Sequence, residues 1–161
     1  MSVLQAARDW HHAGFCVVRA ASDGTKRPVG EWAAYQHQRP SAEQVEQWFA
    51  HGHRGVGIVC GAVSGGAEML ELEGRAVTEG LHEHLAQLLV QSGLGDLWRR
   101  IDLGYCERTP SGGYHWIYRI GGGDVPRNTK LASRPATPDE LAVNPADRVK
   151  VLAETRGERG F

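Results

Sequence analysis

Apolar positions along this chain follow two rhythms. Residues 3–12 carry them at helical spacing, and Gly14 stops the run. Val45, Trp48 and Phe49 form an i, i+3, i+4 stripe behind Ser41, a natural N-cap, with Glu43, Gln44 and Glu46 in the opening turns. Leu81, Leu85, Leu88 and Leu89 give a third helical face within 78–91, closed by Gly93. Between these lie short apolar or alternating runs that read as strands: 14–19, 55–61, 67–73, 104–108, 114–120 and 149–155. A tight turn at 63–66 would fold 55–61 back on 67–73 as a hairpin, and 109–113 would join 104–108 to 114–120 in a second one. Residues 22–30 and the polar, proline-bearing 121–146 read as loops.

The resulting order, α-β-α-β-β-α-β-β-loop-β, points to an α+β fold: a mostly antiparallel sheet flanked by helices, preceded by an N-terminal α/β unit. A length of 161 residues suits a single domain with a real core. A further strand is expected after the turn-like 156–160, so the domain reads as cut short at its C-terminal end. No apolar run is long enough to cross a bilayer, and the first residues lack the basic and apolar segments of a secretion signal. Cys16, Cys60 and Cys106 are odd in number and widely spaced, which fits neither a disulfide framework nor a zinc site. Their apolar surroundings predict buried free thiols and a cytoplasmic protein. The net charge of −1 offers nucleic acid no overall attraction, but residues 1–98 hold 7 basic and 11 acidic side chains against 11 and 8 in residues 99–161. Such a basic half could meet phosphates, or could be a solvated mixed surface.

The candidate chemistry starts at Met69-Leu-Glu-Leu-Glu73. Strand alternation places Glu71 and Glu73 on one face and Leu70 and Leu72 on the other. Paired carboxylates repel unless a cation lies between them, and oxygen-only donors suit hard divalent ions. A half-exposed strand could also carry alternating glutamates with no metal at all. Glu154, on the last strand, is the candidate third carboxylate; three acids converging across a sheet can hold two metal ions. Its plain alternative is an ion pair with Arg156 or Lys150. The second cluster is Arg108-Thr-Pro-Ser-Gly-Gly-Tyr-His115. Gly112 and Gly113 permit close backbone approach, Ser111 and nearby amides can cradle phosphate, His115 can donate to phosphate or move a proton, and Arg108 offers a forked contact. A hairpin turn followed by a structural histidine would look the same. No Gly-Lys-Ser/Thr phosphate loop and no GxGxxG opening a helix occurs, which removes the ATPase and dinucleotide-binding readings.

The order of these motifs carries more than any one of them. A strand ending in Gly61, then Ser64-Gly-Gly66, two acids at i and i+2 followed by Gly74, then Arg108-Thr-Pro-Ser-Gly-Gly-Tyr-His115, then Glu154 ahead of Arg156-Gly157 resembles the bifunctional primase-polymerase domain of the archaeo-eukaryotic primase superfamily. The likeness also takes in the N-terminal helix and strand, the Lys26-Arg-Pro28 loop and the 41–49 helix. It implies an RNA-recognition-like catalytic core that performs two-metal nucleotidyl transfer. Glu71, Glu73 and Glu154 would hold two magnesium or manganese ions, with no zinc. His115, with Ser111, Gly112 and Gly113, would meet the incoming triphosphate, and Arg108, Lys26 and Lys130 would contact triphosphate or template. Implied partners are nucleoside triphosphates, a single-stranded DNA template and a helicase domain or protein, with no membrane. The chain departs from the family pattern in carrying glutamates where aspartates are usual in the first motif. Two other readings keep the same residues: a non-catalytic nucleic-acid-binding relative, and a metal-dependent nuclease.

Overall fold

The computed structural model describes every residue except Met1, Gly24 and Lys26. The chain forms two compact units: residues 1–68 with 119–127 and 156–161, and residues 69–118 with 128–155.

The first unit opens with α1 (Val3–His12), whose N-cap Ser2 accepts from the Gln5 amide. Its strand β1 (Cys16–Arg19) follows Gly14, which takes a left-handed conformation open to glycine. Helix α2 (Ala42–Phe49) is capped by Ser41 as its sequence predicts, and Arg8 of α1 pairs with Glu46 of α2. Strand β2 (Val56–Val59) then pairs antiparallel with β1, Cys16 opposite Val59 and Arg19 opposite Val56. Two small cores result: Ala7, Val17, Val45 and Phe49 on one side, and Cys16, Val18 and Val59 on the other. Phe161 packs on the second core and lies where any Cβ at Gly57 would fall.

The hairpin expected between 55–61 and 67–73 is therefore corrected. Among the described residues, the single bridge Gly61–Ala67 links them. A 3-10 turn over Ala62–Ser64, flanked by left-handed Gly61, Gly65 and Gly66, replaces the short turn that a hairpin needs.

The second unit is built on five strands in the order β4-β5-β3-β7-β6. Its strand β3 (Ala67–Leu72) is central and follows the alternation read from sequence, with Leu70 and Leu72 buried and Met69 and Glu71 partly open. Glu73 lies just past the strand as N-cap of α3 (Gly74–Thr78). The helix expected over 78–91 is α4 (Leu81–Gln91), which starts three residues later, after the left-handed Gly80; the short α3 ahead of it has no counterpart in the sequence reading. Leu81, Leu85 and Leu89 pack on the core, whereas Leu88 is half exposed. Helix α5 (Gly95–Asp102) has no counterpart in the sequence reading. It buries Trp98, and its Asp102 accepts from the Trp116 indole N–H at 2.9 Å.

Strands β4 (Tyr105–Arg108) and β5 (Tyr114–Arg119) form the second predicted hairpin, antiparallel. Within 121–146, expected to be loop, the structure holds β6 (Thr129–Pro135) and α6 (Pro138–Val143). The helix has a complete capping box: Thr137 accepts from the Glu140 amide, and Glu140 accepts from the Thr137 amide. Strand β6 pairs antiparallel with β7 (Val149–Arg156), the predicted last strand. The core of this unit gathers Leu70, Leu72, Ala76, Trp98, Trp116 and Ala153. Cys16 and Cys60 are buried as expected; Cys106 is exposed, because every residue of the edge strand β4 is open to solvent. Among the described residues, no helix is long and apolar enough to cross a membrane.

Candidate active site

Three neighbouring strands bring one row of polar side chains to a single face. Register puts Glu107 of β4 opposite His115 of β5, and β5 lies beside β3. His115 Nδ1 meets Glu107 Oε1 at 2.8 Å, and its Nε2 meets Glu71 Oε1 at 3.3 Å. The Tyr105 hydroxyl donates to the other Glu107 oxygen at 2.8 Å. With a carboxylate at each nitrogen, the ring is held as a double donor, an imidazolium. Burial by itself would lower the His115 pKa; the hydrogen bonds and charges of Glu107 and Glu71 outweigh it and push the value up to about 9. On the other face of β5, Trp116 is buried and stacks with Tyr114 and His82.

A glycine turn closes the row at one end. The amide of Gly113 donates to Thr109 Oγ1 at 2.9 Å, and the Thr109 and Ser111 hydroxyls lie 3.0 Å apart. Gly113 packs so closely that a Cβ there would come 2.2 Å from the Leu72 carbonyl oxygen; one on Gly74 would come 1.9 Å from that of Ser111. The tip of the β4–β5 hairpin is thus pressed, backbone to backbone, onto the end of the carboxylate strand. Glu73 emerges at this junction. Its amide donates to the Leu152 carbonyl at 3.0 Å, and its carboxylate lies 4.0 Å from the Arg75 guanidinium. Arg75 itself donates to the Val151 carbonyl at 2.7 Å. Glu154, two residues on from Leu152 in β7, is buried and stands opposite Lys130 of β6.

The sequence-predicted residues therefore fall into groups. Glu71, Glu73, His115, Ser111, Gly112 and Gly113 gather around the hairpin tip and the end of β3. Glu154 and Lys130 belong to the β7–β6 pair, and Arg108 is exposed on β4. Lys26 lies outside the described residues. Among the described residues, no three His, Cys, Asp or Glu side chains form a group able to hold a metal ion as they stand. Sequence reasoning missed Glu107, Tyr105, Thr109 and Arg75. Glu107 was within reach: it lies as far before Ser111 as His115 lies after it, the spacing of a cross-strand pair about that turn.

No curated protein matches this sequence. The sequence model of the family described as bifunctional DNA primase/polymerase, N-terminal, matches residues 5–161, essentially the whole described fold. The chain belongs to that family of primase-polymerase N-terminal domains.

Proposed function

We propose that this chain is a two-metal-dependent primase-polymerase that joins nucleotides from nucleoside triphosphates on a single-stranded DNA template. Family membership brings nucleotidyl transfer with DNA and nucleotides in general, and a dependence on divalent metal. The observation that carries the finer reading is the Glu71–His115–Glu107 row set against a glycine-rich turn.

The acids fit divalent metal by chemistry, since carboxylate oxygens are the donors that magnesium and manganese prefer. A cationic side chain also stands beside each of the two first-motif carboxylates, His115 beside Glu71 and Arg75 beside Glu73, offsetting negative charge that a metal would neutralise. Glu71, Glu73 and Glu154 would hold the ions, which when bound supply charge neutralisation for in-line displacement at phosphorus. The protein's own part is positioning. Glu107 orients the His115 ring, and its second N–H, which meets Glu71 at 3.3 Å, is the donor that a triphosphate oxygen would share or take over. Ser111 offers an uncharged hydroxyl at the tip, and Gly112 and Gly113, whose amides donate to Thr109, leave room beside it for a phosphate. Arg108 and Lys130, both exposed, are available to phosphates of nucleotide or template.

The test is primer extension with manganese or magnesium and labelled deoxynucleoside triphosphates. Incorporation by the unaltered protein, lost separately in Glu71→Gln, Glu73→Gln and Glu154→Gln, supports the proposal. A second reading, a non-catalytic DNA-binding module, draws on the glutamates, Glu71 and Glu73, that stand at both first-motif positions where aspartates are usual. Tight DNA binding with no incorporation under either ion would select it. Strand shortening that needs no triphosphate would instead select a nuclease.

A further inference from the structure

Two hollows in the first unit share a wall made by Arg19 and Trp48. The smaller, about 220 Å³, sets the rings of Trp32 and Tyr35 beside Val18 and Val29, and adds Glu31 and Gln44 to the shared Arg19 as polar groups. The larger, about 430 Å³, is lined by Arg54, Ser22, Gln47 and His51 among others, with no acid among the described residues. The shared arginine is unusual. Its guanidinium lies 5.5 Å over the Trp48 ring, and Gly30, left-handed and lacking a side chain, gives its tip room. Among the described residues, Arg19 Nε is a buried nitrogen with no hydrogen-bond partner. A buried donor without an acceptor is costly, and an anionic oxygen in the adjoining hollow would remove that cost. Tyr35 meets Trp48 edge to face, with ring centres 5.1 Å apart, so the aromatic wall is held before any ligand arrives.

From this pairing we infer that the first unit carries its own nucleotide-unit site, taking an aromatic base against Trp32, Tyr35 and Trp48 and a phosphate against Arg19 and Arg54. The polarity of the two hollows sets the direction. Glu31 would repel phosphate from the smaller one, yet its carboxylate and the Gln44 amide can pair with the edge of a base. The acid-free larger hollow is where phosphate charge is stabilised. Stacking on aromatic rings tolerates any base, so the ligand class is a nucleotide or a strand of them rather than one sequence. The site uses no residue of the Glu71–His115–Glu107 row and needs no metal, so it stands whether or not that row is catalytic.

The test is photo-crosslinking of the full chain, in a chelating buffer without divalent ions. Two probes are used: a short single-stranded oligodeoxynucleotide carrying 5-iododeoxyuridine, and 8-azidoadenosine triphosphate. Crosslinks on the peptide that contains Trp32, Tyr35 and Trp48 are expected, weakened about tenfold in Arg19→Gln and in Arg54→Gln. Arg54 is exposed, so its variant reads the site even where Arg19→Gln perturbs the fold. Labelling by the oligodeoxynucleotide alone assigns the site to the strand; labelling by the azido-nucleotide, competed by unlabelled triphosphate, assigns it to free nucleotide. Crosslinks confined to residues 105–119, or labelling unchanged in Arg54→Gln, would overturn the inference. Neither readout involves turnover, so a failed primer-extension assay leaves it standing, and its own failure leaves the catalytic proposal untouched.

Discussion

The two units place polar side chains by opposite means. In the second, Glu107, His115 and Glu71 are fixed by strand register: each is held by the ladder beneath it, and the row continues across three strands. In the first, two strands pair among the described residues, and the polar groups around Arg19 are held by a helix, loops and aromatic rings. The cores differ in step. The second unit gathers around one fully buried indole, Trp116, and the first divides its burial between two small clusters. A sheet with a single dominant core can keep charged groups in fixed register, whereas a small divided core favours hollows between its elements.

Substitutions can break or sharpen this contrast. The largest effect is expected from Trp116→Ala, which removes the central side chain of the second unit and the hydrogen bond to Asp102; a loss of about 3–5 kcal/mol should appear in chemical denaturation. Next, Glu71→Gln should lower nucleotide incorporation by about a hundredfold, roughly 2.7 kcal/mol of transition-state stabilisation, with the melting temperature little changed. Val45→Ala in the first unit should cost about 2 kcal/mol, since less apolar surface depends on it. If Val45→Ala proves as damaging as Trp116→Ala, the picture of a divided first core is wrong. Ser41→Ala, which removes the cap of α2, should cost about 1 kcal/mol by the same measurement.

The mildest effect is one of pH. Hydrogen bonds from Arg134 and from the Thr137 amide hold the Glu140 carboxyl down at about 2, below its ordinary value of 4.5. A lowered folded-state pKa means that the contribution is present above about pH 4.5 and fades as pH falls toward 2. Acid titration of stability should therefore flatten in that window in Glu140→Gln; an unchanged curve would show that the Arg134 bridge to Glu79 suffices without it.

Much of the architecture was legible because its signals are local and strong. Ser41 with the Val45–Trp48–Phe49 stripe gave α2, and the glycine turn between 108 and 114 gave the β4–β5 hairpin. What escaped had weak or misleading signals. Strand β6 runs along a sheet edge with most of its residues exposed, so no alternation marks it. Helix α5 is as short as α2 and also sets apolar residues, Leu97, Trp98 and Ile101, on one face, but no capping side chain marks its start as Ser41 marks that of α2. Helix α6 did announce itself, in Thr137-Pro-Asp-Glu140, but within a stretch whose prolines and glycines read as loop. For the candidate site, chemistry marks Glu71 and His115 one at a time. Their meeting depends on β5 lying beside β3, a pairing between segments some forty residues apart that no local pattern encodes.

The near-touching main chains of Gly74 and Ser111 have a mechanical consequence. A loop that rests on another chain segment with no side chain between them cannot swing as a flap. Motion toward α3 is blocked by main chain on main chain, and motion away would give up that close packing. The hairpin tip is therefore a fixed wall, and its amides should exchange with solvent only as fast as the sheet beneath them opens.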